Sequence, residues 1–163
     1  MSKSIPISIA QLKSAFGTFQ FVKLSGDIGV QTTASVTIPD LVFSVKANQT
    51  YDFRFNLIHS ANVGGQGVKV QINVPNYKTY SARIELPNSY TTTQIQYVTA
   101  SGGSLVSTSM PGPNQVTLGL IEGMIVPAED GQIQIAFASK NLQSGSNFTA
   151  LLAGSNGMLI KFA

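Results

Sequence analysis

The chain has 163 residues, only 10% of them charged, and a formal net charge of +3. This length suits one domain with a proper core, and the charged fraction is far below the roughly 25% of an average soluble domain. We expect a surface of neutral amide, hydroxyl and apolar groups, part of which faces other subunits. Cysteine is absent, which excludes disulfides, thiolate nucleophiles and cysteine-ligated metals.

The hydrophobic residues are dispersed along the chain. No stretch approaches the ~18 consecutive apolar residues that a membrane-spanning helix needs. The first ten residues lack the apolar segment and cleavage site of a secretory signal, which predicts synthesis in the cytosol. The ten basic residues form no stripe that would follow a phosphate backbone. The sequence therefore indicates a soluble protein that binds neither membrane nor nucleic acid.

An N-terminal arm, residues 1–17, is predicted to precede one domain over residues 18–163. The arm carries a helix signal from residue 8, because Ser8 and Gln11 fit a capping box and Gly17 can end a helix in the left-handed conformation. The apolar stripe of this helix consists of Ile9, Leu12 and Phe16. A helix of two turns is marginal in water, so the stripe has to dock on something. We expect it to anchor the protein to an assembly; the alternative is that it caps one end of the domain.

From residue 18 the hydrophobic period changes to two, which predicts strands separated by turns. The clearest strand is 51–57, where apolar side chains alternate with Asp52, Arg54 and Asn56. We expect Pro39–Asp40 to end one strand before the next begins at Leu41. The strands predicted in this half are 19–24, 30–38, 41–45, 51–57, 68–74 and 79–86.

The second half continues the same pattern, with a break at Met110–Asn114. Glu129–Asp130–Gly131 is predicted to be a tight hairpin turn. The strands predicted here are 90–99, 116–126, 132–137, 148–152 and 158–162. Short strands at this spacing, without intervening helices, predict an all-β fold, an antiparallel sandwich or barrel.

Residues that could carry catalysis are few. His59 is the single histidine, and we interpret it as a partly exposed strand-end residue because no nucleophile motif accompanies it. The adjacent Glu129 and Asp130 could suit calcium or glycoside hydrolysis, but the hairpin turn explains them completely. Gly64–Gly67 is better explained as a β-turn than as a phosphate cradle, because no helix follows. We predict no catalytic, cofactor or metal site.

Five tyrosines could form a platform for stacking sugar rings, although tyrosines in strands usually pack in the core. They are Tyr51, Tyr77, Tyr80, Tyr90 and Tyr97. Asn48 and Asn147 match the glycosylation pattern, but without a secretory signal we interpret them as ordinary turn and strand residues.

Several segments resemble small β-sandwich domains of tailed-phage virion proteins. They are Leu41–Val45, Ala47–Phe55, Leu120–Gly123, Gly131–Ser139, Leu152–Ser155 and Met158–Ile160. The start, Ile7–Gly17, is similar to an N-terminal segment of phage structural proteins, although the second Ile-Ser element that often follows there is missing. The resemblance implies a jelly-roll-like domain that trimerises and decorates heads, tails or fibres, with no catalytic residues.

These observations predict a non-enzymatic virion protein, a capsid decoration or cement protein that trimerises on the phage head. Its expected partners are its own copies and the major capsid protein or another virion protein. One compact domain with an arm suits this role, because a fibre usually needs a shaft. The alternative is a tail or fibre module that binds a host cell-surface glycan. An enzyme such as a polysaccharide depolymerase is the third possibility.

Overall fold

The computed structural model describes residues 17–88, 92–107 and 113–162, and within these ranges it contains strands and no helix. The strands are β1 (Thr18–Lys23), β2 (Ile28–Val30), β3 (Val36–Val45), β4 (Tyr51–Ala61), β5 (Val68–Asn73), β6 (Tyr77–Pro87), β7 (Thr93–Val98), β8 (Gly103–Val106), β9 (Thr117–Pro127), β10 (Gly131–Ser139), β11 (Thr149–Leu151) and β12 (Asn156–Lys161). The prediction of an antiparallel all-β sandwich is confirmed.

Two antiparallel sheets form the sandwich. The larger has the order β1-β12-β4-β9-β6-β7, and β11 joins it by pairing with β4 and with β2. The smaller has the order β3-β10-β5-β8. The antiparallel pairs β1·β12, β3·β10, β4·β9 and β5·β8 are nested one inside the next along the chain, and they alternate between the two sheets. A long hairpin rolled up in this way is a jelly roll, and β6–β7 is a hairpin inserted at its tip that extends the larger sheet.

The core lies between the sheets. The burial of β4 alternates strictly, with the odd-numbered residues from Tyr51 to Ala61 inside, as its sequence pattern predicts. Phe55 of the larger sheet meets Phe43 of the smaller sheet with ring centroids 5.1 Å apart. Two glycines make room for these large rings. Gly123 of β9 lies opposite Phe53 of β4, and Gly157 of β12 lies opposite Phe55 of β4.

Two turn predictions are wrong. Pro39 and Asp40 lie inside β3, which runs unbroken to Val45. Proline is tolerated there because β3 is an edge strand and its pairing with β10 shifts register at this point. Glu129–Asp130–Gly131 is no hairpin turn, because β9 and β10 belong to different sheets.

The side chain of Asp130 connects the β9–β10 segment to the β3–β4 segment. Its carboxylate accepts hydrogen bonds from Lys46 Nζ (2.7 Å) and from the backbone N–H of Ala47 (2.9 Å), between β3 and β4. The hydrogen bond from Lys46 and then the one from Ala47 hold the pKa of Asp130 below its ordinary value. The carboxylate therefore fastens the crossing between the sheets. Asn48 has the left-handed φ of 61° that its predicted turn requires.

His59 is buried in the core, so its prediction as a partly exposed strand-end residue is wrong. β4 continues past it to Ala61, with Thr117 opposite on β9 and Leu151 opposite on β11. Its Nδ1 lies 3.0 Å from Thr117 Oγ1, and the Phe137 ring centroid is 6.4 Å away. Burial lowers the pKa of His59 from 6.5 to about 4, so the ring is neutral at pH 7.

The Gly123→Ala substitution tests the fit of the core. A Cβ at position 123 would lie 2.7 Å from Phe53 Cζ and would also clash with the Ser81 carbonyl oxygen. We expect the free energy of unfolding to fall by about 1–3 kcal/mol, which urea denaturation would measure. The control is Gly26→Ala, where a Cβ meets nothing within 4 Å. Equal stability of the two variants would contradict this packing.

His59 should make stability depend on pH. Its pKa of about 4 in the folded protein is below the unfolded value of 6.5, so the unfolded chain takes up the proton first as pH falls. The contribution of neutral His59 is complete above pH 6.5 and decreases, by on the order of 3 kcal/mol, as pH falls to 4. Urea denaturation across this pH range should show the loss.

In the matched variants, His59→Gln should remove this part of the pH dependence, because glutamine does not titrate. Thr117→Val keeps the titrating ring and should retain it. If the free energy of unfolding of His59→Gln and of the parent protein falls equally between pH 6.5 and 4, the interpretation of His59 as a buried neutral histidine is wrong.

Candidate assembly surface

The outward side of the larger sheet, called here the outer face, brings together an ion network and six of the twelve large hydrophobic side chains that are exposed among the described residues. Successive strands are paired in register, so one straight row of side chains crosses all six strands. In strand order, this row consists of Phe21, Met158, Arg54, Glu122, Arg83 and Tyr97. The even-numbered residues of β4, excluded from the core, determine which residues of the other strands share the face.

An ion network occupies the middle of the outer face. Arg83 contacts Glu85 on its own strand, and its Nη1 lies 3.5 Å from Glu122 Oε1 on β9. These three side chains are only 30–39% exposed. The hydrogen bond to Glu85, above all, raises the pKa of Arg83, which stays charged at any working pH.

Asp52 is the carboxylate that this network leaves uncompensated. It lies in the next row, and it forms no hydrogen bond or ion pair with the described residues. Partial desolvation, and then repulsion from Glu122, raise the pKa of Asp52 above its ordinary value. A cation or hydrogen-bond donor brought by a partner would stabilise this carboxylate.

Apolar side chains surround the charges. Six of the large hydrophobic side chains that are exposed among the described residues lie on the outer face: Phe19, Phe21, Ile95, Tyr97, Leu118 and Met124. Between them is an open depression of about 590 Å³, lined by Arg54, Arg83, Glu122, Met124 and Met158 among others. Apolar side chains gathered on one exposed face are a feature of protein–protein contact surfaces, although here the charged groups lie at the centre of the patch and not at its rim.

The predicted arm contacts, Ile9, Leu12 and Phe16, lie outside the described residues, as does the helix that would carry them. Gly17 is the first described residue, and its φ of 79° is left-handed. β1 begins directly after it, at the margin of the outer face.

The four tyrosines within the described residues form no common platform. Tyr51 and Tyr80 are buried in the core, and Tyr77 packs against Tyr80 with ring centroids 5.2 Å apart. Tyr97 lies on the outer face, and Tyr90 is outside the described residues. The simpler expectation, that these strand tyrosines pack in the core, holds for Tyr51 and Tyr80.

Among residues 17–88, 92–107 and 113–162, no group of three or more histidine, aspartate or glutamate side chains is placed to hold a metal ion. No helix in this part of the chain is long and apolar enough to cross a membrane. His59 does not reach the outer face, since it points into the core from the other side of β4.

The row itself could not be found from the sequence. Arg54 was expected on the polar side of its strand, but its alignment with Glu122 and Arg83 depends on strand pairing between distant segments. No short segment of the sequence indicates which distant strands pair, or in which register.

Comparisons with known proteins give only distant similarity. No protein-family model matches the chain, and no curated protein sequence matches it. Three solved structures to which it is similar come from infectious bursal disease virus. They are the Gx strain (12% identity, TM-score 0.46), the Gt strain (10%, 0.29) and the VP2 subviral particle (11%, 0.24).

The alignments cover 90%, 89% and 90% of this chain, but only 34%, 36% and 41% of those chains. The chain thus spans well under half the length of the viral proteins it matches. At these values the likeness supports no inference about function, which has to come from the surface of the chain itself.

Proposed function

We propose that this chain is a non-enzymatic structural protein of a tailed-phage virion, a cement protein that decorates the head as a homotrimer. The observation that carries the proposal is the outer face. One face of the larger sheet presents six exposed apolar side chains around a half-buried ion network. A wide, open surface of this kind suits a macromolecular partner better than a small substrate, which is normally held in an enclosed pocket.

The resemblance of the sequence to virion β-sandwich domains supports the choice of partner. A cement protein needs one surface that holds the capsid and another that joins its own copies. We assign the outer face, together with the arm, to the contact with the major capsid protein. The charged fraction of only 10% agrees with a protein whose surface is largely buried against partner molecules in an assembly.

Immunogold electron microscopy of the virion that contains this chain would test the location. Label on the head supports the proposal, and label on the tail or fibres contradicts it. The rival, a glycan-binding tail module, would be supported by binding to a glycan array combined with no affinity for capsids.

Met124→Glu tests the outer face. Met124 is 48% exposed and lies opposite Asp52, so a glutamate there would place a second unpaired carboxylate in the contact. We expect the affinity for the undecorated capsid to fall at least tenfold, or about 1.4 kcal/mol, while the fold is kept. The control is Leu142→Glu, since Leu142 is 77% exposed in the loop between β10 and β11. If both variants bind like the parent protein, the outer face is not the capsid contact.

Deletion of residues 1–17 tests the arm. We expect a folded trimer with a nearly unchanged melting temperature that no longer joins the particle. Burying Leu12 and Phe16 on the capsid would contribute on the order of 3–6 kcal/mol. Thermal melting and a capsid co-sedimentation assay measure the two properties.

A matched pair of full-length variants separates the two faces of the arm. Replacing Ile9, Leu12 and Phe16 together by serine should reproduce the loss of capsid binding. Replacing the intervening Gln11 and Ser14 by alanine should not. A large fall in melting temperature on deletion would show instead that the arm belongs to the sandwich.

A further inference from the structure

Among the described residues, β1 and β7 are the outermost strands of the larger sheet, and they carry few of the devices that normally protect an edge strand. Each has six residues without proline; β7 has no charged residue, and β1 has only Lys23. The other edge strands are protected or short. β3 contains Pro39 and an irregular register, β8 has four residues, and β2 has three. Unprotected edges offer unpaired backbone N–H and C=O groups to another strand.

These two edges match each other in direction. Every neighbouring pair from β1 to β7 is antiparallel, so β1 and β7 run in opposite directions at the two ends of the sheet. A second copy placed beside the first, with its outer face on the same side, therefore sets its β1 antiparallel to β7. No strand has to be reversed.

Their side chains match as well. The row across the outer face begins at Phe21 and ends at Tyr97, which are 73% and 70% exposed. These are the two most exposed aromatic side chains among the described residues. In a continued sheet, the end of one row meets the beginning of the next.

We propose that β7 of one copy pairs antiparallel with β1 of the next copy, with Tyr97 directly opposite Phe21 of the next copy. This inference rests on the proposed self-association and identifies the surface that makes it. Backbone hydrogen bonds join the edges, and the facing aromatic rings add a cross-strand pair.

The same register places Lys23 of the next copy opposite Ile95. The aliphatic part of Lys23 covers Ile95, and its ammonium extends toward Glu85, which lies opposite Ile95 on β6. The contact is head-to-tail, so three copies close a ring where each is rotated by a third of a turn from the one before, and the proposed trimer requires this rotation. The part of the outer face between the two edges, which includes Met124 and Leu118, remains available to the capsid, as does the arm.

Cysteine cross-linking tests the register, and the absence of native cysteine makes it clean. Chains carrying Tyr97→Cys are mixed with chains carrying Phe21→Cys and oxidised mildly. We expect a disulfide-linked pair from the mixture and none from either chain alone. A single chain carrying both substitutions should give covalent rings. An intramolecular disulfide is impossible, because the two positions are five strand spacings apart, about 24 Å.

The other possible pairings give different products. Gln96→Cys alone would cross-link if β7 paired with itself about a two-fold axis, and Phe21→Cys alone would cross-link if β1 did. Either result overturns the proposal. So does an oligomer in which the mixture forms no disulfide.

Lysine variants separate this proposal from the proposed function. Tyr97→Lys should reduce the oligomer to monomers in light scattering, while Leu118→Lys, on the same face but within the sheet, should leave the oligomer intact. If Tyr97→Lys remains an oligomer that decorates the head, the edge pairing is wrong and the cement function stands. If the parent protein is a monomer at all concentrations and is absent from the head, both are wrong.

Discussion

The alternation of β4 is the constraint on which the rest of the structure depends. This strand lies inside the larger sheet, between β12 and β9, and its odd-numbered residues fill the core while its even-numbered ones face outward. A slip of one residue against either neighbour would turn Asp52 and Arg54 into the core, where an unpaired charge is strongly unfavourable. The register of β4 against its neighbours is therefore fixed. Because directly opposite residues share a face, the alternation of β4 determines which residues of the other strands face outward, as far as the edges of the sheet.

The parts of the fold that could be predicted are those in which a short segment contains its own signal. β4 and β10 are examples, because apolar and polar residues alternate within each. The predictions failed where the outcome depends on a partner strand. Pro39 was expected to end a strand, but the edge position and register shift of β3 accommodate it. His59 was expected at a strand end, but β11 continues the pairing past it, with Ala150 opposite Ser60 and Thr149 opposite Ala61.

The candidate surface was less predictable than the fold for the same reason. A dry, weakly charged surface could be expected from composition, but its arrangement could not. β8 was missed because it is short and follows a glycine turn, where Gly102 has a φ of 79°. Without β6, β7 and their register, Arg83 and Tyr97 are merely a charged and an aromatic residue of a strand. The row to which they belong exists only after the roll has closed.

The distribution of groups over the outer face also determines what can cover it. Arg83 already forms ion pairs with Glu85 and Glu122. Because these ion pairs replace part of the hydration of the guanidinium, a partner that covers Arg83 removes little further solvation. Asp52 forms no ion pair with the described residues, and partial desolvation of its carboxylate already raises its pKa. A purely apolar partner would bury the carboxylate unpaired, whereas a partner that places a donor there satisfies it. In the proposed contact, the apolar margin would supply adhesion and Asp52 would supply discrimination, because complementary charge selects a partner more strongly than it adds affinity.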